Sequence, residues 1–282
     1  DAPVPVDFGF PGFAQDHSTG LLALDRAARQ GAADEGADDL AAMVTDFGPA
    51  ANRNGTSGND LMIGDSRDNV FSGFKGADTL KGEDGNDVLY GNSGNDKLFG
   101  GNGKDKLRGA DGADRLFGGN GNDNIDGQSG KDFAKGGKGN DTINGGNSKD
   151  KLSGGNGSDK LIGGNGNDKL IGGTGQDVLV GGTGTDHVWG GAWTEDGEQD
   201  RFVFEPGDGK DFLHDFEAGI DKIDLIALNI DWATLQNHMT DHGWATKLNL
   251  AGITGQSGDL AYLIGVDMAD LTQSDFLFSN GP

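Results

Sequence analysis

The chain has 282 residues, 54 of them glycine, none of them cysteine, and a formal net charge of −24. Hydrophobic residues make up 33%, too few for an ordinary globular core. The missing cysteine excludes disulfides, thiolate metal sites and cysteine nucleophiles. The acidity argues against a nucleic-acid binder and favours cations as partners, and no stretch approaches the roughly 20 apolar residues of a membrane span.

In chain order, residues 1–54 come first, with 9 acids and 3 bases. The opening DAPVPVDFGFPGFAQ has neither an initiator Met nor a basic-then-apolar leader, and it reads as a processed end or a cut boundary. Helices are predicted over 18–30, with Ser18 or Thr19 as N-cap and apolar residues at 21, 24 and 28, and over 38–47. Their expected role is a helical cap on the glycine-rich region beyond residue 54, or a linker from an upstream domain.

From Gly55 to Trp189 the sequence falls into fifteen uninterrupted blocks of nine. Position one is Gly in all fifteen. Position four is Gly except at Arg67 and Ser148, and position six is Asp except at Asn69. Position eight is apolar throughout, from Met62 to Val188, with Ala134 the smallest. Repeats of this period indicate a stacked solenoid. Positions one to six read as a glycine turn. Positions seven to nine read as a short strand whose middle side chain points inward. Two blocks make one coil, which predicts two parallel sheets and a roll on the order of 35 Å long, at ~4.8 Å per strand.

Alternate blocks then put their aspartates on opposite edges. One edge stacks Asp60, Asp78, Asp96, Asp114, Asp132, Asp150, Asp168 and Asp186; the other stacks Asp87, Asp105, Asp123, Asp141, Asp159 and Asp177. Like charges one strand apart repel, and the 15 bases against 20 acids of residues 55–189 are too few to pair each one. A divalent cation between loops would neutralise them. Carboxylates with glycine-loop carbonyls suit Ca²⁺ better than Mg²⁺ or Zn²⁺. The carbonyl-bearing candidates are Gly101, Asn102 and Gly103; Gly119, Asn120 and Gly121; Gly155, Asn156 and Gly157; Gly164, Asn165 and Gly166; and Gly173, Thr174 and Gly175. The blocks at 64–72 (GDSRDNVFS) and 127–135 (GQSGKDFAK) depart most from the pattern.

The unit G-G-x-G-x-D-x-U-x resembles the RTX, or hemolysin-type, calcium-binding repeat. The resemblance implies an all-β, right-handed parallel β-roll with a Ca²⁺ between each loop and the one two blocks later, roughly ten to a dozen ions in all. After Trp189 the phase breaks. PGDGKDFLH restores it once, with Asp211 in the metal position. A helix is predicted over 231–242 and strands near 246–250 and 259–266. The stretches DFEAGIDKIDL and GVDMADLTQSDFLF resemble the C-terminal part of secreted RTX proteins, including serralysin-type proteases. That resemblance implies a small β-rich C-terminal cap over 190–282 and an uncleaved signal for type I secretion machinery, hence an extracellular or cell-surface bacterial protein. The apolar ninth positions Ile162, Ile171, Val180 and Trp189 are expected to lie under that C-terminal module.

No catalytic constellation stands out. H-E-x-x-H, G-x-S-x-G and G-x-x-x-x-G-K-[ST] are absent. His238 and His242 are four apart on the predicted helix but flank Met239 where a metalloprotease needs Glu, and they read as surface histidines. The expectation is a non-enzymatic, calcium-folded structural or binding module, with self-association or an extracellular polysaccharide as candidate partners. The alternative is the folding and secretion module of a larger RTX enzyme.

Overall fold

The computed structural model describes residues 42–45, 52–191 and 197–279. They lie in one compact unit of two long sheets, 13-stranded and 11-stranded, taken alternately by successive strands as far as Lys222–Asp224. Within the repeats every pairing is parallel and offset by 18 residues: Leu98 faces Leu116, and Ile125 faces Ile143. This is the parallel β-roll that the nine-residue period predicts.

The strands are longer than expected. Most run six residues, as in Lys97–Asn102 or Thr142–Asn147. They start at position seven and continue through position three of the next block, leaving only positions four to six as the turn. From Phe74 onward, position two takes a left-handed φ that most side chains avoid. Gly101, Gly119 and Gly137 occupy it freely, whereas Phe74, Glu83, Asn92, Ala110 and Gln128 hold it with a Cβ.

Position eight forms the thin core. Leu80, Leu89, Leu98, Leu116, Ile125, Ile143 and Leu161 are fully buried between the sheets. Position one is buried as well and must be glycine. A Cβ on Gly100 would fall 2.3 Å from Oδ2 of Asp105 and 2.6 Å from the Gly118 carbonyl oxygen.

Both ends correct expectations. Residues 42–45 form a strand, Ala42–Thr45, paired with Asp60–Ile63, not part of a helix over 38–47; edge pairing outweighs the local helical pattern. The helix over 18–30 lies outside the described residues. Past the repeats the C-terminal stretch adds further coils: Lys210–Leu213 extends the larger sheet and Arg201–Val203 and Lys222–Asp224 the smaller. The larger sheet ends in an antiparallel meander of Leu260–Ile264, Ala245–Asn249 and Met239–Asp241. The helix expected over 231–242 shrinks to Trp232–Gln236, capped by Asp231 accepting from the Thr234 amide. Strand Met239–Asp241 separates His238 from His242, so the two histidines share no helix face. Ile162, Ile171, Val180 and Trp189 are half-buried. The C-terminal segment continues the sheets end-on through paired strands.

Candidate metal centres along the two edges

The turns place one aspartate per block on an edge, stacked every 18 residues. Each backbone amide of this column donates to Oδ1 of the aspartate one coil later. Asp87 N donates to Asp105 at 2.8 Å, Asp105 N to Asp123 at 2.8 Å, and Asp114 N to Asp132 at 2.8 Å. The two columns hold the residues expected from the alternation. Asn69, the one non-aspartate, keeps the ladder by donating its amide to Asp87 Oδ1 at 2.7 Å.

Oδ1 is thus satisfied while its twin is not. Oδ2 of Asp78, Asp87, Asp96, Asp105, Asp114, Asp123, Asp132, Asp141, Asp150, Asp159, Asp168 and Asp186 is buried with no hydrogen-bond partner. A buried carboxylate oxygen without a donor is costly, and a long row of them calls for a missing ion or solvent. Desolvation is accordingly the main force on these groups, and at Asp78, Asp87, Asp96, Asp114, Asp123, Asp141 and Asp150 a neighbouring carboxylate in the column adds to it. It raises Asp78, Asp96, Asp114, Asp132, Asp159 and Asp168 to about 6. It raises Asp87, Asp123, Asp141 and Asp150 to about 7. Asp105 is raised too.

The residues fit a hard cation. Oδ2 and the position-one carbonyl of the next coil converge over the Cα of the position-one glycine: Asp123 Oδ2 with Gly136 O at Gly118, and Asp159 Oδ2 with Gly172 O at Gly154. The position-four loops also approach closely, and a Cβ on Gly103 would lie 1.8 Å from the Gly85 carbonyl oxygen. Among the described residues no group of three or more His, Cys, Asp or Glu side chains converges on one point. A site here takes fewer than three carboxylates together with carbonyls, an all-oxygen set suited to Ca²⁺ and unsuited to Zn²⁺.

The other candidates divide. All ten candidate glycines, from Gly101 and Gly103 through Gly173 and Gly175, have left-handed φ. The side chains of position three instead form a ladder along the rim: Asn102 Nδ2 donates to Asp84, Asn120 Nδ2 to Asn102, Asn165 Nδ2 to Asn147, and the Thr174 hydroxyl to Asn156. The backbone carbonyls of Asn102, Asn120, Asn156 and Thr174 already accept from the position-four glycine amides of Gly85, Gly103, Gly139 and Gly157 one coil earlier, so each could serve a cation only through its second lone pair. Asp60 differs from its column, because its Oδ2 accepts from the Thr56 amide at 2.6 Å. Asp211 joins the column by accepting from the Asp186 amide at 3.1 Å. Burial and the adjacent Asp186 carboxylate push Asp211 well above the usual carboxylate range.

Three features were missed in the sequence. The position-one glycines, such as Gly100 and Gly118, form the floor of each candidate site; their presence in all fifteen blocks was the signal. Position five builds a second ladder of opposite polarity, in which its side chain accepts from the position-five amide of the next coil. Ala77 N donates to Asn59, Lys104 N to Asn86, and Thr185 N to Asn167. Asp200 and Asp221 carry the aspartate ladder past the last regular block, accepting from Asp177 N and Asp200 N at 2.9 Å. Asp200 follows a Gly pair and five extra loop residues and so keeps part of the motif, but its place in the ladder, like that of Asp221, was not read from the sequence.

Family comparison agrees with this geometry. Residues 54–89, 72–107, 90–125, 99–134, 126–161 and 162–192 match the RTX calcium-binding nonapeptide repeat. Residues 54–192 are RTX repeats. Among curated proteins none matches the chain. Among solved structures it is similar to the extracellular lipase LipA from Serratia marcescens, with 18% identity, 83% of this chain and 42% of the lipase covered, and a TM-score of 0.40. It is also similar to the AlgE6R3 subunit of the Azotobacter vinelandii mannuronan C5-epimerase, with 22% identity, 67% of this chain and 81% of that subunit covered, and a TM-score of 0.25. The chain thus spans less than half the length of the lipase. Among the described residues no helix is long and apolar enough to cross a membrane.

Proposed function

We propose that this RTX chain is a secreted, non-catalytic structural or binding module whose roll is ordered by Ca²⁺ held along both edges. The observation that carries this reading is the row of buried Oδ2 atoms without donors. Bound Ca²⁺ supplies the positive charge that offsets stacked, desolvated carboxylates. Asp78 through Asp186, with the loop carbonyls facing them, are the residues that hold it. Roughly ten to a dozen ions bind, each weakly, at about 10⁻⁴–10⁻³ M as in other extracellular modules. Such affinities keep the chain unfolded where calcium is scarce and fold it where calcium is plentiful. That suits export through type I secretion machinery, with the signal in residues 190–282.

Equilibrium dialysis against Ca²⁺, combined with the Stokes radius of the same samples, tests this reading. Uptake of several ions per chain with a contraction of the radius supports it. A compact chain that takes up no Ca²⁺ would contradict it.

A further inference from the structure

Five neighbouring strands of the 13-stranded sheet present an outer face whose charge is opposite to that of the chain. Its strands Lys97–Asn102, Arg115–Asn120, Phe133–Lys138, Lys151–Asn156 and Lys169–Thr174 contain no Asp or Glu. Lys97, Arg115, Lys135, Lys138 and Lys151 are exposed there and Lys169 is half-exposed. On the opposite sheet the acids are interspersed, and Arg108 lies 3.4 Å from Asp126. For a protein of net charge −24, a five-strand face without a carboxylate is a segregated surface.

Its chemistry and shape are specific. Lys97 and Arg115 are register partners, and so are Lys151 and Lys169, which sets two pairs of cations, each ~4.8 Å apart along the roll, with Phe133 between the pairs. Beside them Phe99 and Phe117 stack at 5.0 Å with nearly parallel planes, and the Arg115 guanidinium lies 5.8 Å from both Phe117 and Phe133. On the other flank Gly101, Gly119, Gly137 and Gly155 form a lane without side chains. A depression of about 420 Å³ lined by Phe117, Asn120, Lys135, Lys138 and Asn156 opens in that lane.

We propose that this face binds a linear acidic polysaccharide bearing a carboxylate on each sugar, laid along the roll axis. A sugar unit in an extended chain is about as long as one strand spacing, so neighbouring carboxylates meet Lys97 with Arg115 and Lys151 with Lys169, while the unit between the pairs crosses Phe133. The phenylalanine ridge packs against the apolar C–H faces of the sugars, and the rim amides of Asn120 and Asn156 offer hydrogen bonds to hydroxyls. The ligand's charge complements this face and not the roll as a whole, whose repeats carry 20 acids against 15 bases. The inference rests on the roll being folded by calcium, so the fold is checked on every sample.

The test is isothermal titration of the full chain in saturating Ca²⁺ with a galacturonate hexamer, after circular dichroism of the same sample confirms the roll. The hexamer should bind, a neutral glucose hexamer should not, and K97Q/R115Q/K151Q should weaken binding about tenfold or more. K106Q/K160Q on the opposite sheet should leave it unchanged. If the triple variant fails the dichroism check, K151Q alone, with the salt dependence of the unaltered chain, replaces it. Hexamer binding that persists in a folded K97Q/R115Q/K151Q variant overturns the proposal. So does equal affinity for inorganic polyphosphate, which would mark a charge-only surface. Sedimentation showing that this face instead pairs two copies of the chain also overturns it. Absence of the roll in Ca²⁺ would count against the calcium reading, not against this face.

Discussion

At the scale of single residues the decisive asymmetry lies within one carboxylate: Oδ1 belongs to the backbone ladder and Oδ2 has no donor. Asp105→Asn keeps an acceptor for the Asp87 amide but removes the charge. It should move the calcium midpoint of folding upward, while the apolar core is unchanged, as a dichroism titration would show. The raised carboxylates make a second prediction. Their folded values, about 6 to 7 for Asp78, Asp87, Asp96 and Asp123, lie above the ordinary 3.8 of the unfolded chain. The stability they contribute to the metal-free roll is therefore complete below about pH 4 and lost as pH rises through 6 to 7. Without metal, the roll should gain structure on acidification from pH 8 to about pH 5, and calcium affinity should fall over the same range; a metal-free pH series that is flat would contradict this. A third prediction concerns Ala110, held at φ 86° where blocks such as those of Gly101 and Gly119 use glycine. Ala110→Gly should stabilise the roll by about 1 kcal/mol, read as a higher melting temperature in calcium. The position-six aspartates were legible because a charge repeated in phase has no apolar explanation. The role of the position-one glycine was not, since closeness to a carboxylate of its own block depends on a turn whose path the spacing alone does not fix.

At the scale of elements, the unit of construction is the 18-residue coil. Each strand finds its partner one coil away, so excising residues 118–135 should leave a roll that folds with calcium and lacks one coil. An excision one residue shorter, 118–134, shifts the inward side chain and should abolish cooperative folding. The core is one side chain thick, and Leu116→Ala should cost about 2–5 kcal/mol, measured as a raised denaturant sensitivity in calcium. Two sheets, the inward eighth position and the alternation of edges could all be read from the nine-residue period. Strand length could not: position two must adopt left-handed φ for the strand to run on into the next block, and sequence patterning does not report φ. The helix expected over 231–242 failed for a related reason. Its spacing suits a helix, but Met239–Asp241 gains an antiparallel partner in Ala245–Asn249, and that pairing outweighs local preference.

At the scale of the whole molecule, a chain with a fifth of its residues glycine loses much backbone entropy on folding and has only a thin apolar column to offset it. Packing and hydrogen bonds leave buried, unpartnered carboxylate oxygens on both edges, so the folded state is incomplete without a cation. The same arrangement concentrates negative charge at the edges and leaves one broad face basic. The measurement that bears most directly on this account is far-UV circular dichroism at neutral pH, in chelator and then through a Ca²⁺ titration, with Mg²⁺ in parallel. The account predicts an unordered spectrum in chelator, a cooperative rise in β signal with Ca²⁺, and little response to Mg²⁺. A β spectrum already complete in chelator and unchanged by Ca²⁺ would contradict it.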